Sequence, residues 1–127
     1  MVDNLSIETQ QAELLRRIAA QDSEALSEFY DQTAASLFSF ALRILNNAHD
    51  AEEVIQDVFV QIWNKASSFD PDIGLAFSWS MSMVRYRCID RLRSRQRRAR
   101  VIVETDDGMD AEPQIETAVT GTLLVTD

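Results

Sequence analysis

Apolar residues recur at three- and four-residue spacing through most of the first hundred positions, which is typical of helices that bury one face. The clearest run, at steps of three and four, is Ala51, Val54, Ile55, Val58, Phe59, Ile62 and Trp63. Asp50 and Glu53, with two residues between them, have the spacing of a capping box and predict where this helix begins. The opposite face is polar except for Val60.

The same spacing predicts three further helices. One spans about residues 5–20, and a second begins at Asp22 or Ser23 and ends at Leu45. The last spans about residues 76–100 and follows a loop that contains Pro71 and Gly74. The pattern therefore predicts four long helices joined by short connections.

Composition supports an all-α fold, because three Gly and two Pro in 127 residues are too few turn-formers for many short strands. The single Cys88 excludes an internal disulfide and a Cys-rich zinc cluster, and a single His excludes a metal site built mainly from histidines. No signal peptide or membrane span is evident, so we expect a cytoplasmic protein. We expect a compact four-helix domain over residues 1–100 and a flexible, disordered acidic linker over residues 101–127.

The net charge of −9 conceals a strong segregation of charge along the chain. Residues 85–100 carry eight arginines against Asp90 alone, whereas residues 101–127 carry seven acids and no base. Such a basic cluster is the electrostatic footprint of a surface that binds phosphates. The alternative is that some of these arginines pair with the acidic segment or with the helix C-terminus.

Two segments in this order resemble region 2 of bacterial sigma factors of the extracytoplasmic-function (ECF) type. The first is Asp50-Ala-Glu-Glu-Val-Ile-Gln-Asp-Val-Phe-Val-Gln-Ile-Trp63, and the second is Val84-Arg-Tyr-Arg-Cys-Ile-Asp-Arg-Leu-Arg93, with Phe69 and Trp79 between them. The resemblance covers about residues 12–98. It implies an all-helical domain that binds the clamp helices of the RNA polymerase core and captures the promoter minus-ten element, on the non-template strand. It also implies a second sigma domain, which we expect to be absent from this chain, and an anti-sigma factor as a possible partner.

The resemblance assigns polymerase binding to the exposed face of the third helix. The residues in question are Glu53, Gln56, Asp57, Val60 and Gln61. Acids beside amides suit a basic, hydrogen-bonding partner, although an ordinary solvated face would show the same pattern.

DNA binding is expected from the loop and from the last helix. The candidates are Phe69, Arg85, Tyr86, Arg87, Arg93 and Arg97. Arg85, Arg93 and Arg97 are four or eight residues apart and so lie near one side of a helix. Phe69 and Tyr86 are candidates for stacking on unpaired bases. The resemblance to sigma factors also implies that the loop of residues 67–74 forms the pocket for a flipped-out minus-ten base.

No nucleophile with a positioned base, no glycine-rich phosphate loop and no metal-ligand cluster is present in the sequence. We therefore expect a binding protein that needs no cofactor, rather than an enzyme. Two alternatives to a sigma factor remain open at this point. One is a helical regulator that binds duplex DNA, and the other is a helical adaptor that binds a protein.

Overall fold

Four α-helices and one short 3-10 helix make up residues 4–105, the part of the chain that the computed structural model describes. The helices are α1 (Asn4–Ala19), α2 (Ser23–Leu45), α3 (Ala48–Lys65) and α4 (Ala76–Thr105). The 3-10 helix, Ala66–Ser68, follows α3 directly. The prediction of an all-α fold with four helices is confirmed.

The core forms where α2 packs against each of the other three helices. Its largest fully buried side chains include Leu15 and Ile18 of α1, Phe29 and Leu37 of α2, and Val84 of α4. The stripe predicted on α3 is buried as expected from Ala51 to Ile62, and Trp63 packs partly buried against it. Hydrophobic periodicity therefore identifies the buried face of this helix correctly.

The start of α2 is capped as the sequence predicted. The Asp22 carboxylate accepts hydrogen bonds from the backbone N–H of Glu24 at 3.0 Å and of Ala25 at 3.3 Å. It also accepts one from Arg17 Nε at 3.0 Å. The bond from Arg17 is the main reason why the pKa of Asp22 is lowered, and the backbone donors add to it.

The capping box predicted at Asp50 is wrong. Asn46 ends α2 in the left-handed conformation with φ 51°, and Asn47 caps α3 by accepting a hydrogen bond from the Asp50 N–H at 2.9 Å. The helix thus begins two residues before the predicted cap, because asparagine can end one helix and cap the next. Asp50 lies within the first turn, where its carboxylate is available to another helix.

Three arginines spaced four apart on α4 bind along α3, and we call Arg87, Arg91 and Arg95 the arginine ladder. Arg95 forms an ion pair with Asp50 and donates a hydrogen bond to the Leu45 carbonyl at 3.0 Å. Arg91 binds Glu53 at 2.8 Å, and it is 3.5 Å from Asp50.

The third member, Arg87, reaches further along α3. Its Nε donates to Gln61 Oε1 at 3.2 Å, and its Nη1 lies 3.8 Å from the Asp57 carboxylate. The partners on α3 lie later in the sequence as the arginines on α4 lie earlier, so the two helices run antiparallel.

The last helix continues past the end that the sequence predicted near Arg100. It extends to Thr105, which places the first five residues of the expected linker within a helix. The physical reason is that the first helix breaker after Pro71 and Gly74 is Gly108, and arginines favour helix formation. The remainder of the expected linker, residues 106–127, lies outside the described residues.

None of the helices between Asn4 and Thr105 combines the length and the apolar character that crossing a bilayer requires.

We expect Arg95→Ala to lower the free energy of unfolding by about 1–3 kcal/mol at neutral pH, since it removes hydrogen bonds to a carboxylate and to a backbone carbonyl. Arg95 also holds the pKa of Asp50 below its ordinary value. A carboxylate with a depressed pKa stabilises the fold above its unfolded-state pKa of about 3.9. That contribution is lost as the pH falls through the folded-state pKa.

Urea unfolding from neutral pH to about pH 2 would measure this difference between the native chain and Arg95→Ala. The difference should narrow once the pH falls below about 4. Arg98→Ala, an exposed arginine on the same helix, is the matched control and should change the free energy by less than about 0.5 kcal/mol. A difference that stays constant over the whole range would contradict a role for the Asp50 charge.

Candidate functional site

The exposed face of α3 brings together the residues predicted to bind polymerase. Gln56, Asp57 and Val60 are exposed, and Glu53 and Gln61 are half-buried at its edge. Val60 is 61% exposed, whereas the other large apolar side chains of α3 lie on its buried face. An exposed apolar side chain among acids and amides has the character of a small protein-binding surface.

Beside this face, α2 and α3 enclose an open groove of about 480 Å³. Its floor is apolar, with Phe38 and Ile55, and Asp31 and Glu52 lie on its rim. Gln56 belongs to both the groove and the exposed face, so the two surfaces are continuous. The sequence analysis did not predict that α2 lines this groove, because the α2 residues in it form no recognisable motif.

The arginines of α4 separate into groups that point in different directions. The arginine ladder faces α3. Arg87, a candidate for DNA binding, therefore lies against Asp57 and Gln61 on the exposed face of α3 and not on the side predicted to bind DNA. Arg85 lies over the ring of Phe40 on α2, with its guanidinium carbon 5.6 Å from the ring centroid. The structure therefore does not bring Arg85 and Arg87 onto the same side as Arg93 and Arg97.

A third group, which we call the exposed stripe, consists of Tyr86, Arg93, Arg97 and Arg100. All four are exposed, and their spacing of seven, four and three residues keeps them on one side of the helix. Tyr86 is 71% exposed. Among side chains 6–101, no acid forms an ion pair with these arginines.

The loop before α4 forms a cavity of about 250 Å³ that opens near the exposed stripe. Ser78, Trp79 and Ser82 of α4 line one side of it. The other side is formed by Ser68, Phe69, Asp70, Ile73, Gly74 and Leu75. Ser82 lies four residues before Tyr86, so the cavity and the exposed stripe follow each other along one face of α4.

Phe69 is a wall of this cavity rather than a free stacking surface. It is half-buried, and its ring packs against Trp79 at a tilt of 58° with 5.4 Å between the ring centroids. Ile73 and Leu75 are 85% and 44% exposed, so the mouth of the cavity is apolar. Asp70 accepts a hydrogen bond from the Asp72 N–H at 2.9 Å, which holds the turn in shape.

Cys88 lies in the core between these surfaces and takes no part in them. It is fully buried, and burial raises the pKa of its thiol to about 12.

Comparison with known proteins identifies a family model and several relatives that match this chain. Residues 29–98, more than half of the chain, match the family model described as Sigma-70 region 2. A protein named ECF RNA polymerase sigma factor SigK from Mycolicibacterium vanbaalenii is 42% identical over 83 residues, which are 65% of this chain and 42% of that relative. The protein of the same name from Mycobacterium tuberculosis strain H37Rv is 37% identical over 83 residues, which are 65% of this chain and 44% of that relative.

The chain thus spans less than half the length of these curated relatives. The matched segment begins within α2 and ends within α4, and so it contains the exposed face of α3, the loop cavity and most of the exposed stripe. The helical fold and the match over residues 29–98 together show that the chain belongs to the Sigma-70 region 2 family, as its motifs predicted.

Proposed function

We propose that this chain binds the RNA polymerase core through the exposed face of α3 and captures the opened minus-ten promoter element with the loop cavity and the exposed stripe. The observation that carries the proposal is the continuity of an apolar-mouthed cavity, an exposed tyrosine and three exposed arginines along one side of α4. Together they offer an open, concave site for one base, a ring for stacking and charges for the following phosphates.

The cavity suits a single unstacked base, because its walls are aromatic and apolar and three serines stand among them. Extruding a base costs a few kcal/mol, so strand opening by this domain alone is unfavourable. Binding to an already opened non-template strand, in a complex with polymerase, fits the small size of the site. The mechanism is therefore capture of a strand that polymerase helps to separate.

The pairing of the α4 arginines speaks against a helical adaptor, in which these arginines would only neutralise acids of the same chain. Arg87, Arg91 and Arg95 are held by α3 and serve the fold, whereas the arginines of the exposed stripe have no comparable partner among the described side chains. The exposed stripe would equally suit duplex phosphates, so a duplex-binding regulator is the second candidate function. An anti-sigma factor as a further partner is supported only by the family, and the described residues do not identify one.

Polymerase binding is tested by the double variant Gln56→Ala/Asp57→Arg. We expect its affinity for purified core polymerase to fall at least roughly tenfold, since a charge is reversed at the centre of the exposed face. Pull-down or surface plasmon resonance would measure the loss. The matched control Glu8→Arg/Gln10→Ala makes the same changes on α1 and should bind normally. Unchanged binding by the folded double variant would refute the proposed docking face.

DNA binding is tested by Arg93→Ala/Arg97→Ala. Two lost phosphate contacts should reduce the slope of log affinity against log salt by roughly 1.4 for single-stranded DNA. Fluorescence anisotropy with a labelled oligonucleotide gives this slope. The control Arg16→Ala/Arg43→Ala removes two arginines from α1 and α2 and should leave the slope unchanged. Tighter binding of duplex than of single-stranded DNA by the native chain would favour the duplex-binding regulator.

Tyr86→Ala should weaken capture of the opened minus-ten element by about 1–3 kcal/mol, the contribution of one base stacked on an aromatic ring. Tyr86→Phe should retain most of the affinity, because it keeps the ring. A minus-ten strand containing 2-aminopurine, mixed with core polymerase and each variant, reports base unstacking by fluorescence. Equal losses in the two variants would assign the effect to the hydroxyl group and contradict stacking.

A further inference from the structure

Near the end of α4, three arginines of the exposed stripe form no ion pair with any acid among the described side chains, 6–101. Arg93, Arg97 and Arg100 are exposed on one side of α4. The nearby acids of α3 cannot neutralise them, because Asp50, Glu53 and Asp57 are held by the arginine ladder on another side of the helix. The exposed stripe is therefore an unsatisfied site for a polyanion.

The chain itself carries an acidic segment immediately after this helix. Residues 106–116 contain five acids and no base, and they include Gly108 and Pro113, which favour a change in chain direction. From Thr105 back to Arg93 the helix rises about 18 Å, at about 1.5 Å per residue. Seven extended residues span about 23 Å, so residues 106–112 are long enough to reach the whole of the exposed stripe.

We propose that the acidic segment, residues 106–116, binds the exposed stripe of α4 and competes there with nucleic acid. The segment is attached directly to α4, so its effective concentration at the arginines is high and a weak contact suffices. The contact is electrostatic and is screened by salt. The competition rests on the proposed function of the exposed stripe, whereas the contact itself does not.

The contact can be measured without nucleic acid. A nitroxide spin label at Thr117→Cys in the full chain reacts selectively, because Cys88 is fully buried. We expect paramagnetic broadening of the backbone amides of residues 93–100 at low salt, and its loss at high salt. Absence of broadening at low salt would overturn the proposal.

A charge-neutral variant tests the chemistry of the contact. Asp106→Gln/Asp107→Gln/Asp110→Gln/Glu112→Gln should abolish the broadening. The same variant should bind a single-stranded oligonucleotide roughly tenfold more tightly than the native chain at low salt, and this gain should shrink as salt rises. The control Glu8→Gln/Glu24→Gln/Asp31→Gln/Glu52→Gln changes the net charge equally on the other helices, and we expect a change of less than about twofold.

Equal gains in the two variants would show that net charge alone acts, and they would overturn the proposed competition. Broadening in a chain that binds no nucleic acid in any variant would support the contact and refute the proposed function. The experiment therefore distinguishes failure of the proposed contact from failure of the proposed function.

Discussion

The fit between α3 and α4 depends on the arginine ladder, in which arginines four residues apart meet acids and an amide on the antiparallel helix. Arg95 has the central place, because its guanidinium binds the end of α2 and the first turn of α3 at once. A half-buried charge of this kind has to be paired, so the ladder fixes how the two helices lie against each other. The relative orientation of the exposed face of α3 and the exposed stripe of α4 follows from that constraint.

Most of the fold could be predicted from the sequence, because burial is periodic along each helix. The stripe from Ala51 to Ile62 shows this most clearly. The helix ends were less predictable. Asp50 and Asn47 are both good capping residues. What separates them is the partner that Asp50 finds on α4, Arg95, which lies 45 residues further along the chain. The end of α4 was missed because the β-branched residues after Arg100 lower the helix propensity without breaking the helix.

The candidate site was predictable only as far as spacing within one helix determines it. Arg93 and Arg97 share a face for that reason, and Tyr86 joins them at a distance of seven residues. Contacts between helices determine where the other arginines lie. Arg85 lies over the ring of Phe40, and Arg87 contacts Gln61 and Asp57. The one available signal was that acids on α3 recur every three or four residues while arginines on α4 recur every four. Phe69 likewise became a cavity wall through its contact with Trp79, which no local pattern indicates.

The two kinds of arginine on α4 also differ in what could replace them. Arg95 uses separate nitrogens of one planar group to reach a carboxylate and a carbonyl on different helices, which the single ammonium of lysine cannot reproduce. The proposed role of the exposed stripe requires positive charge rather than a fixed planar group, and lysine supplies the same charge. Substitution by lysine is therefore tolerated at positions 93, 97 and 100, whereas at position 95 it destabilises the fold.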